Sequence, residues 1–126
     1  MTETFGARVR ELREAKKATD PAYSLRRFAQ AVGVSATFLS RAENGQGPPP
    51  SAEKVMKMAA LLGEDPDELL ALAGKVDPEL PEIIRGRPRA MADLLRTARD
   101  QGLTDEEIRK MTQELRSWRS TREGRE

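Results

Sequence analysis

The sequence predicts an all-α protein with five helices in its front part, followed by a short C-terminal segment of about three helices. Apolar residues recur at helical spacing along most of the chain, and helix caps, glycines and prolines separate these stretches at short intervals. No stretch shows the alternation of apolar and polar residues that is typical of a half-buried strand. The change of pattern near residues 76–78 predicts a front domain over residues 1–76 and a helical segment over residues 77–126.

The front helices are justified by their caps and by their apolar faces. Phe5 and Val9 lie one helical turn apart and open the first apolar face. Ser24 and Ser35 are favourable N-caps for the second and third helices, and Gly33 separates these two helices. The expected elements are a first helix ending within residues 16–21, a second over 25–32, a third from 36 to about 43, a fourth from the cap Ser51 to residue 62, and a fifth from Asp65-Pro66 to Gly74.

The rear segment also has a helical pattern. Leu80, Ile83 and Ile84 are expected to form a short apolar turn. A helix is expected from Pro88, a residue favoured at the first helical position, to Gly102. Thr104 and Glu107 have the spacing of a capping box, so the last helix is expected to begin there.

The composition excludes several classes of function. The chain has no cysteine and no histidine, which removes the usual zinc sites and the histidine-based nucleophile systems. Its cluster of Asp65, Asp67 and Glu68 lies at a helix start, where carboxylates stabilise the positive end of the dipole. We therefore expect no enzymatic activity, no metal site and no cofactor. The absence of an 18-residue apolar run and of a signal-peptide core favours a cytoplasmic protein without membrane contact.

The charges are distributed unevenly along the chain. Residues 1–63 carry a net charge of +4 and residues 64–126 a net charge of −3. A basic front half is typical of a domain that meets a polyanion, although ordinary surface charge can reach the same excess.

The stretch from Ser24 to Gly45 has the layout of two short helices joined at a glycine, which is a helix-turn-helix. Ala29 is small enough to let the second helix cross the first closely. Gly33 adopts the turn backbone without a steric penalty, and Val34 is expected to fill the angle between the helices.

This stretch resembles the DNA-binding domain of the lambda- and 434-type repressors, the XRE family of prokaryotic and phage regulators. The resemblance covers residues 3–74 and implies the five-helix lambda-repressor-like fold. The positions that carry the family pattern are Ala29, Gly33, Ser35, Leu39, Ser40, Glu43 and Gly45.

The resemblance implies that residues 36–43 enter the major groove of double-stranded DNA. The residues expected to contact bases are Ala36, Thr37, Ser40 and Arg41. The residues expected to contact phosphates are Arg26, Arg27, Ser35, Asn44 and Gly45. Arg13 and Lys17, one turn apart on the first helix, are further candidates for the DNA backbone, whereas Glu43 is expected to make a structural interaction.

The rear helices suggest a partner. Repressors of this kind act as dimers on palindromic operators, so we expect a homodimer. The residues expected to form its interface are Leu94, Leu95, Ile108, Met111, Leu115 and Trp118. The alternative is an antitoxin or adaptor whose tail binds a protein, such as a toxin. The architecture also resembles repressors that a regulatory zinc metallopeptidase inactivates.

Overall fold

The structure is a computed structural model that describes the backbone of residues 3–123 and the side-chain surroundings of residues 3–119. Over that range the chain is all helical, as predicted, with one 3₁₀ turn at Pro21–Tyr23 and no strand. The α-helices are α1 (Phe5–Lys17), α2 (Leu25–Val32), α3 (Ala36–Glu43), α4 (Ala52–Leu62), α5 (Pro66–Leu72), α6 (Glu79–Gly86), α7 (Pro88–Asp100) and α8 (Asp105–Glu123).

Helices α1 to α5 each begin behind a side chain that accepts a hydrogen bond from a backbone amide of the first turn. Such caps satisfy one of the donors that a helix leaves free at its start. The donor–acceptor distances lie between 3.0 and 3.3 Å. The capping residues are Thr4, Ser24, Ser35, Ser51 and Asp65.

The buried core belongs to these five helices. Helix α1 packs against α3 and α4, α2 packs against α3 and α4, and α4 packs against α5. Aliphatic side chains fill most of the space between them, as the low aromatic content of the chain requires. The core side chains are Phe5, Val9, Phe28, Ala29, Val32, Leu39, Val55, Met58, Ala59, Leu62, Leu69 and Leu70.

One glycine allows α1 to lie close to the end of α3. A Cβ atom added at Gly6 would lie 2.7 Å from the carbonyl oxygen of Glu43 and closer still to that of Ala42. Real Cβ atoms do not approach backbone this closely. Gly6 is therefore required where it stands, because it lets the backbone of α1 meet the backbone of α3.

The 3₁₀ turn was not predicted from the sequence, and it ties three elements together. Asp20 caps the turn by accepting the amide of Ala22 at 2.9 Å. The Tyr23 hydroxyl donates to the carbonyl of Leu61 in α4 at 2.7 Å. The Tyr23 ring stacks on Phe28 of α2, with ring centroids 6.0 Å apart.

The rear helices follow the prediction with one correction. Leu80, Ile83 and Ile84 lie in a complete helix, α6, rather than in a short turn. The capping box before α8 is formed: Thr104 and Glu107 exchange two backbone-to-side-chain hydrogen bonds of 3.1 Å each.

The chain divides into two compact units, one ending at Pro81 and the other beginning at Glu82. Full burial is confined to the first unit. Among the described side chains, none after Leu70 is fully buried. As far as residue 119, the helices of the second unit therefore enclose no fully buried side chain.

Candidate nucleic-acid interface

The turn between α2 and α3 holds the two helices in a fixed relation. Gly33 adopts a left-handed conformation (φ +92°), and its amide and that of Val34 both donate to the carbonyl of Ala29 at 2.9 Å. Ala29 is buried, and Val34 is half-buried against the core, as predicted. The short turn therefore brings the start of α3 to the surface directly beside the end of α2.

The outward side of α3 presents Thr37 and Arg41. Both side chains are exposed and lie one helical turn apart, while Leu39 on the opposite side is fully buried. Ala36 and Ser40 were predicted on the exposed side, but both are half-buried, and Ala36 packs against the core. Of the four expected base-contacting residues, Thr37 and Arg41 are thus the most accessible.

A shallow concave surface adjoins this side of α3. Phe38 is half-buried and lines this surface. Gln46 lies in the loop after α3 and lines it too, although sequence reasoning did not select it. The sequence feature that could have indicated Gln46 is its position as the first polar side chain after Asn44-Gly45, where α3 ends. The lining residues are Ser35, Thr37, Phe38, Arg41, Gln46, Gly47 and Pro48.

The start of α3 offers free hydrogen-bond donors. The Ser35 hydroxyl accepts the amide of Phe38 at 3.0 Å. Among the described residues no acceptor meets the amides of Ala36 and Thr37. These two N–H groups lie at the positive end of the helix dipole, which is a favourable place for a phosphate oxygen.

At the C-terminal end of α3 the backbone amides are not free. The amides of Asn44 and Gly45 donate to carbonyls of α3 at 3.1–3.2 Å, and the amide of Gln46 donates to the carbonyl of Arg41 at 2.8 Å. One N–H of the Asn44 side chain is also used, because it donates to the carbonyl of Ser40 at 2.9 Å. The backbone amides near Gly45, which were expected to hold phosphates, are therefore occupied within the protein.

Arg26, Arg27 and Arg41 are exposed and have no ion-pair partner within residues 3–119. Nearby, Lys54 is half-buried, and its Nζ would lie 2.8 Å from a Cβ added at Gly33. A further cation thus stands at the turn between α2 and α3. This face carries positive charge that no carboxylate of the same chain neutralises in the described part.

The arginines of α1 are used internally. Arg13 was a candidate for the DNA backbone, but it is buried and donates to both carboxylate oxygens of Glu43 at 2.7 and 2.9 Å. It also donates to the carbonyl of Tyr23 at 3.1 Å. These bonds to Glu43 raise the pKa of Arg13 above its usual value, although burial acts in the opposite direction. The prediction that Glu43 has a structural role is confirmed.

Arg8 and Arg10 pair with carboxylates, as expected. Arg10 contacts Glu14 at 3.3 Å and Arg8 contacts Glu11 at 3.6 Å. Arg8 also contacts Glu64 at 2.7 Å, a longer-range pair that the helix periodicity did not show. The hydrogen bond from Arg8 lowers the pKa of Glu64.

The apolar residues predicted at a dimer interface are all exposed. They lie on α7 and α8, and their exposed fractions range from 40 to 63%. They are Leu94, Leu95, Ile108, Met111, Leu115 and Trp118.

Two other kinds of site are absent from the described residues. No group of three or more acidic residues is arranged to hold a metal ion in that part of the chain. Within the same residues no helix has the length and apolar character needed to cross a membrane.

Two capped helices at a tight glycine turn, with the second helix exposed and cationic, define a helix-turn-helix DNA-binding protein. The comparison with known families agrees with this class. A family model described as "Helix-turn-helix domain" matches residues 4–72. The chain belongs to this family of DNA-binding regulators and is of the XRE type that its residues indicated.

Two known proteins are similar to this chain, one in sequence and one in structure. The chain is 36% identical over 81 residues to the uncharacterized HTH-type transcriptional regulator RghRB of Bacillus subtilis (strain 168). That match covers 64% of the chain and 54% of the relative, so the chain spans about half the length of that relative. A solved chain of a SinR protein/SinI protein complex is 24% identical with a TM-score of 0.46, covering 94% of this chain and 99% of the other.

Proposed function

We propose that the protein is a sequence-specific transcriptional repressor that binds double-stranded DNA as a homodimer and inserts residues 36–43 into the major groove. The observation that supports this most directly is the unpaired, exposed Arg41 beside Thr37 on the outward side of α3. In this proposal the protein binds its operator in the cytoplasm and works by occupancy, without catalysis.

The base contacts follow from the side-chain chemistry. The Arg41 guanidinium can donate two hydrogen bonds to O6 and N7 of a guanine. Thr37 can donate a hydrogen bond or contact a thymine methyl group. Ser40 and Ala36, being half-buried, contribute only at short range, Ser40 through its hydroxyl and Ala36 through its methyl group.

Phosphate contacts hold the domain in register on the duplex. Arg26 and Arg27 supply unpaired positive charge. Ser35 caps the start of α3, where free backbone amides can donate hydrogen bonds to a phosphate oxygen. Asn44 retains one side-chain N–H. Gly45 has no atom near its Cβ position, so a phosphate could approach its backbone closely without needing its amide.

The second unit supports dimerisation because none of its described side chains is fully buried. Apolar patches that stay exposed in one chain are typical of interaction sites. Pairing the exposed residues of α7 and α8 with those of a second copy would place two α3 helices for a palindromic operator.

The central experiment selects bound duplexes from a random pool and then measures variants on the selected sequence. Arg41→Ala should cost about 1–3 kcal/mol on the selected duplex and should relax the preference at one base position. Arg26→Ala should weaken binding to all sequences alike. Arg10→Ala is the matched control, because it removes the same charge from an exposed, paired arginine. Uniform loss across sequences for Arg41→Ala would contradict its proposed role.

The exposed apolar side chains of α7 and α8, in the C-terminal tail formed by residues 77–126, also support a second candidate. This is an antitoxin or adaptor whose C-terminal helices bind another protein, such as a toxin. Light scattering of the purified chain separates the two. A dimer that forms unaided favours the repressor, and a monomer whose tail becomes ordered only with a protein partner favours the adaptor.

Inactivation by a regulatory zinc metallopeptidase would act on the same tail, since cleavage there would separate the subunits. Incubation with such an enzyme followed by mass spectrometry tests this. A chain that stays intact would remove the idea.

A further inference from the structure

A group of arginines lies where α6 meets α7, outside the helix-turn-helix. Arg85, Arg87 and Arg89 are exposed, and in the described part of the chain none of them has a carboxylate within ion-pair distance. Residues 85–99 carry a net charge of +4, whereas residues 64–84 carry −6. The net charge of −3 over residues 64–126 does not show this local positive charge.

The junction interrupts the helical backbone at one residue, Arg87, because α6 ends at Gly86 and α7 begins at Pro88. The arginines alternate with Gly86 and Pro88, so no bulky side chain lies between them. A Cβ at Gly86 would meet no atom within 4 Å, which shows that the site is open. Arg87 is non-helical (φ −143°, ψ 68°), and Pro88 begins α7. A helix needs a groove as wide as the major groove, but the side chain of an arginine can enter the minor groove, which is about 6 Å wide, while the helices on either side of Arg87 stay outside it.

The arginines lie apart from the apolar residues of α7. Arg89 and Arg96 are seven residues apart and share one side of the helix. Met91, Leu94, Leu95 and Ala98 lie on the opposite side. Covering the apolar side with a second protein chain therefore leaves the arginines available to a different partner.

We propose that residues 85–89 form a second DNA contact, which inserts arginine side chains into the minor groove of A·T-rich duplex. Runs of A·T pairs narrow this groove and strengthen its negative potential, which attracts arginine. Arginine is preferred to lysine there because its guanidinium is more weakly hydrated and planar. The inference rests on the proposed function only in that the ligand is again double-stranded DNA.

The test measures binding of the full-length protein to dA·dT and dG·dC duplexes of equal length by fluorescence anisotropy across a range of salt concentrations. The wild-type protein should bind dA·dT more tightly, and netropsin, a minor-groove ligand, should displace it. Replacing Arg85, Arg87 and Arg89 together with glutamine should abolish the preference for dA·dT over dG·dC. It should also reduce the slope of log affinity against log salt by about 2–3.

Two controls make the result specific. The triple replacement of Arg109, Lys110 and Arg116 by glutamine removes the same charge from exposed positions of α8 and should leave the dA·dT preference intact. Arg87→Lys keeps the charge but should lower the preference. Glutamine is a good helix former, so circular dichroism should stay unchanged.

The outcomes separate this inference from the proposed function. If both triple variants lose affinity alike, or if the dA·dT preference survives the loss of Arg85, Arg87 and Arg89, the minor-groove contact is overturned. Arg41→Ala should keep the dA·dT preference while it relaxes selection from the random pool. A pool that yields no common sequence, together with a dA·dT preference that depends on residues 85–89, would reject the proposed α3 readout and retain this contact.

Discussion

Replacing Glu43 with alanine measures the contribution of the buried ion pair between α1 and α3. The side chains of Arg13 and Glu43 are only 5 and 4% exposed, so the variant leaves a guanidinium buried without its carboxylate. Two hydrogen bonds are lost at once, those of 2.7 and 2.9 Å. Removing one partner of a buried pair costs about 3–5 kcal/mol of unfolding free energy.

Urea denaturation followed by circular dichroism gives that free energy, and the same change should lower Tm by roughly 12–40 °C for a domain of this size. Arg10→Ala is the control on the same helix. Its pair with Glu14 is about half exposed on both sides, so its loss should cost less than about 1 kcal/mol. Equal costs for the two variants would refute the assignment of the Arg13–Glu43 pair as a buried tie.

A double variant tests whether the cost arises from the orphaned charge. Arg13→Met with Glu43→Leu replaces both charges with apolar groups of similar size, so the domain should recover most of its stability. Recovery should be incomplete, because the carbonyl of Tyr23 loses its donor. A double variant as unstable as Glu43→Ala would show that packing, and not charge, sets the cost.

Three further predictions concern the same domain. Gly6→Ala should destabilise it by about 1–3 kcal/mol in urea denaturation, despite the better helix propensity of alanine, because the new methyl meets the backbone of α3; a stabilised variant would contradict this close packing. Glu64 has a lowered pKa, so its pair with Arg8 stabilises the fold at pH values above the ordinary pKa of 4.5, and this contribution is lost as the pH falls through the lower folded-state pKa. Glu64→Gln should therefore make the unfolding free energy less dependent on pH in that acidic range. An unchanged pH dependence would contradict this prediction. Tyr23→Phe should cost about 1 kcal/mol in the same assay, since it leaves a carbonyl of α4 without its donor, and no change would indicate that water replaces the hydroxyl.

Local signals were sufficient for most of the fold. Ser24 and Gly33 determine where α2 begins and ends, and Ser35 determines where α3 begins, because caps and left-handed turns depend on the residues within one turn of the chain. The chain of five short helices follows from such signals. The pairing of Arg10 with Glu14 was equally visible, since it depends on helical spacing alone.

The features that could not be predicted from the sequence depend on how the helices pack against one another in the folded domain. Arg10 and Arg13 look alike in the sequence, and only the arrival of α3 decides that Arg13 is buried and unavailable to DNA. The half-burial of Ser40 and the place of Phe38 at the surface depend on the same packing. The use of the Gly45 amide by the end of α3 also required the folded backbone.

The lack of any fully buried side chain after Leu70 has an evolutionary consequence. The apolar positions of α7 and α8 can change without opening a cavity in the core, so such substitutions carry little stability cost in the folded first unit. Selection can therefore alter the exposed surface of these helices in small steps, while the residues that hold α3 in position remain under separate constraint.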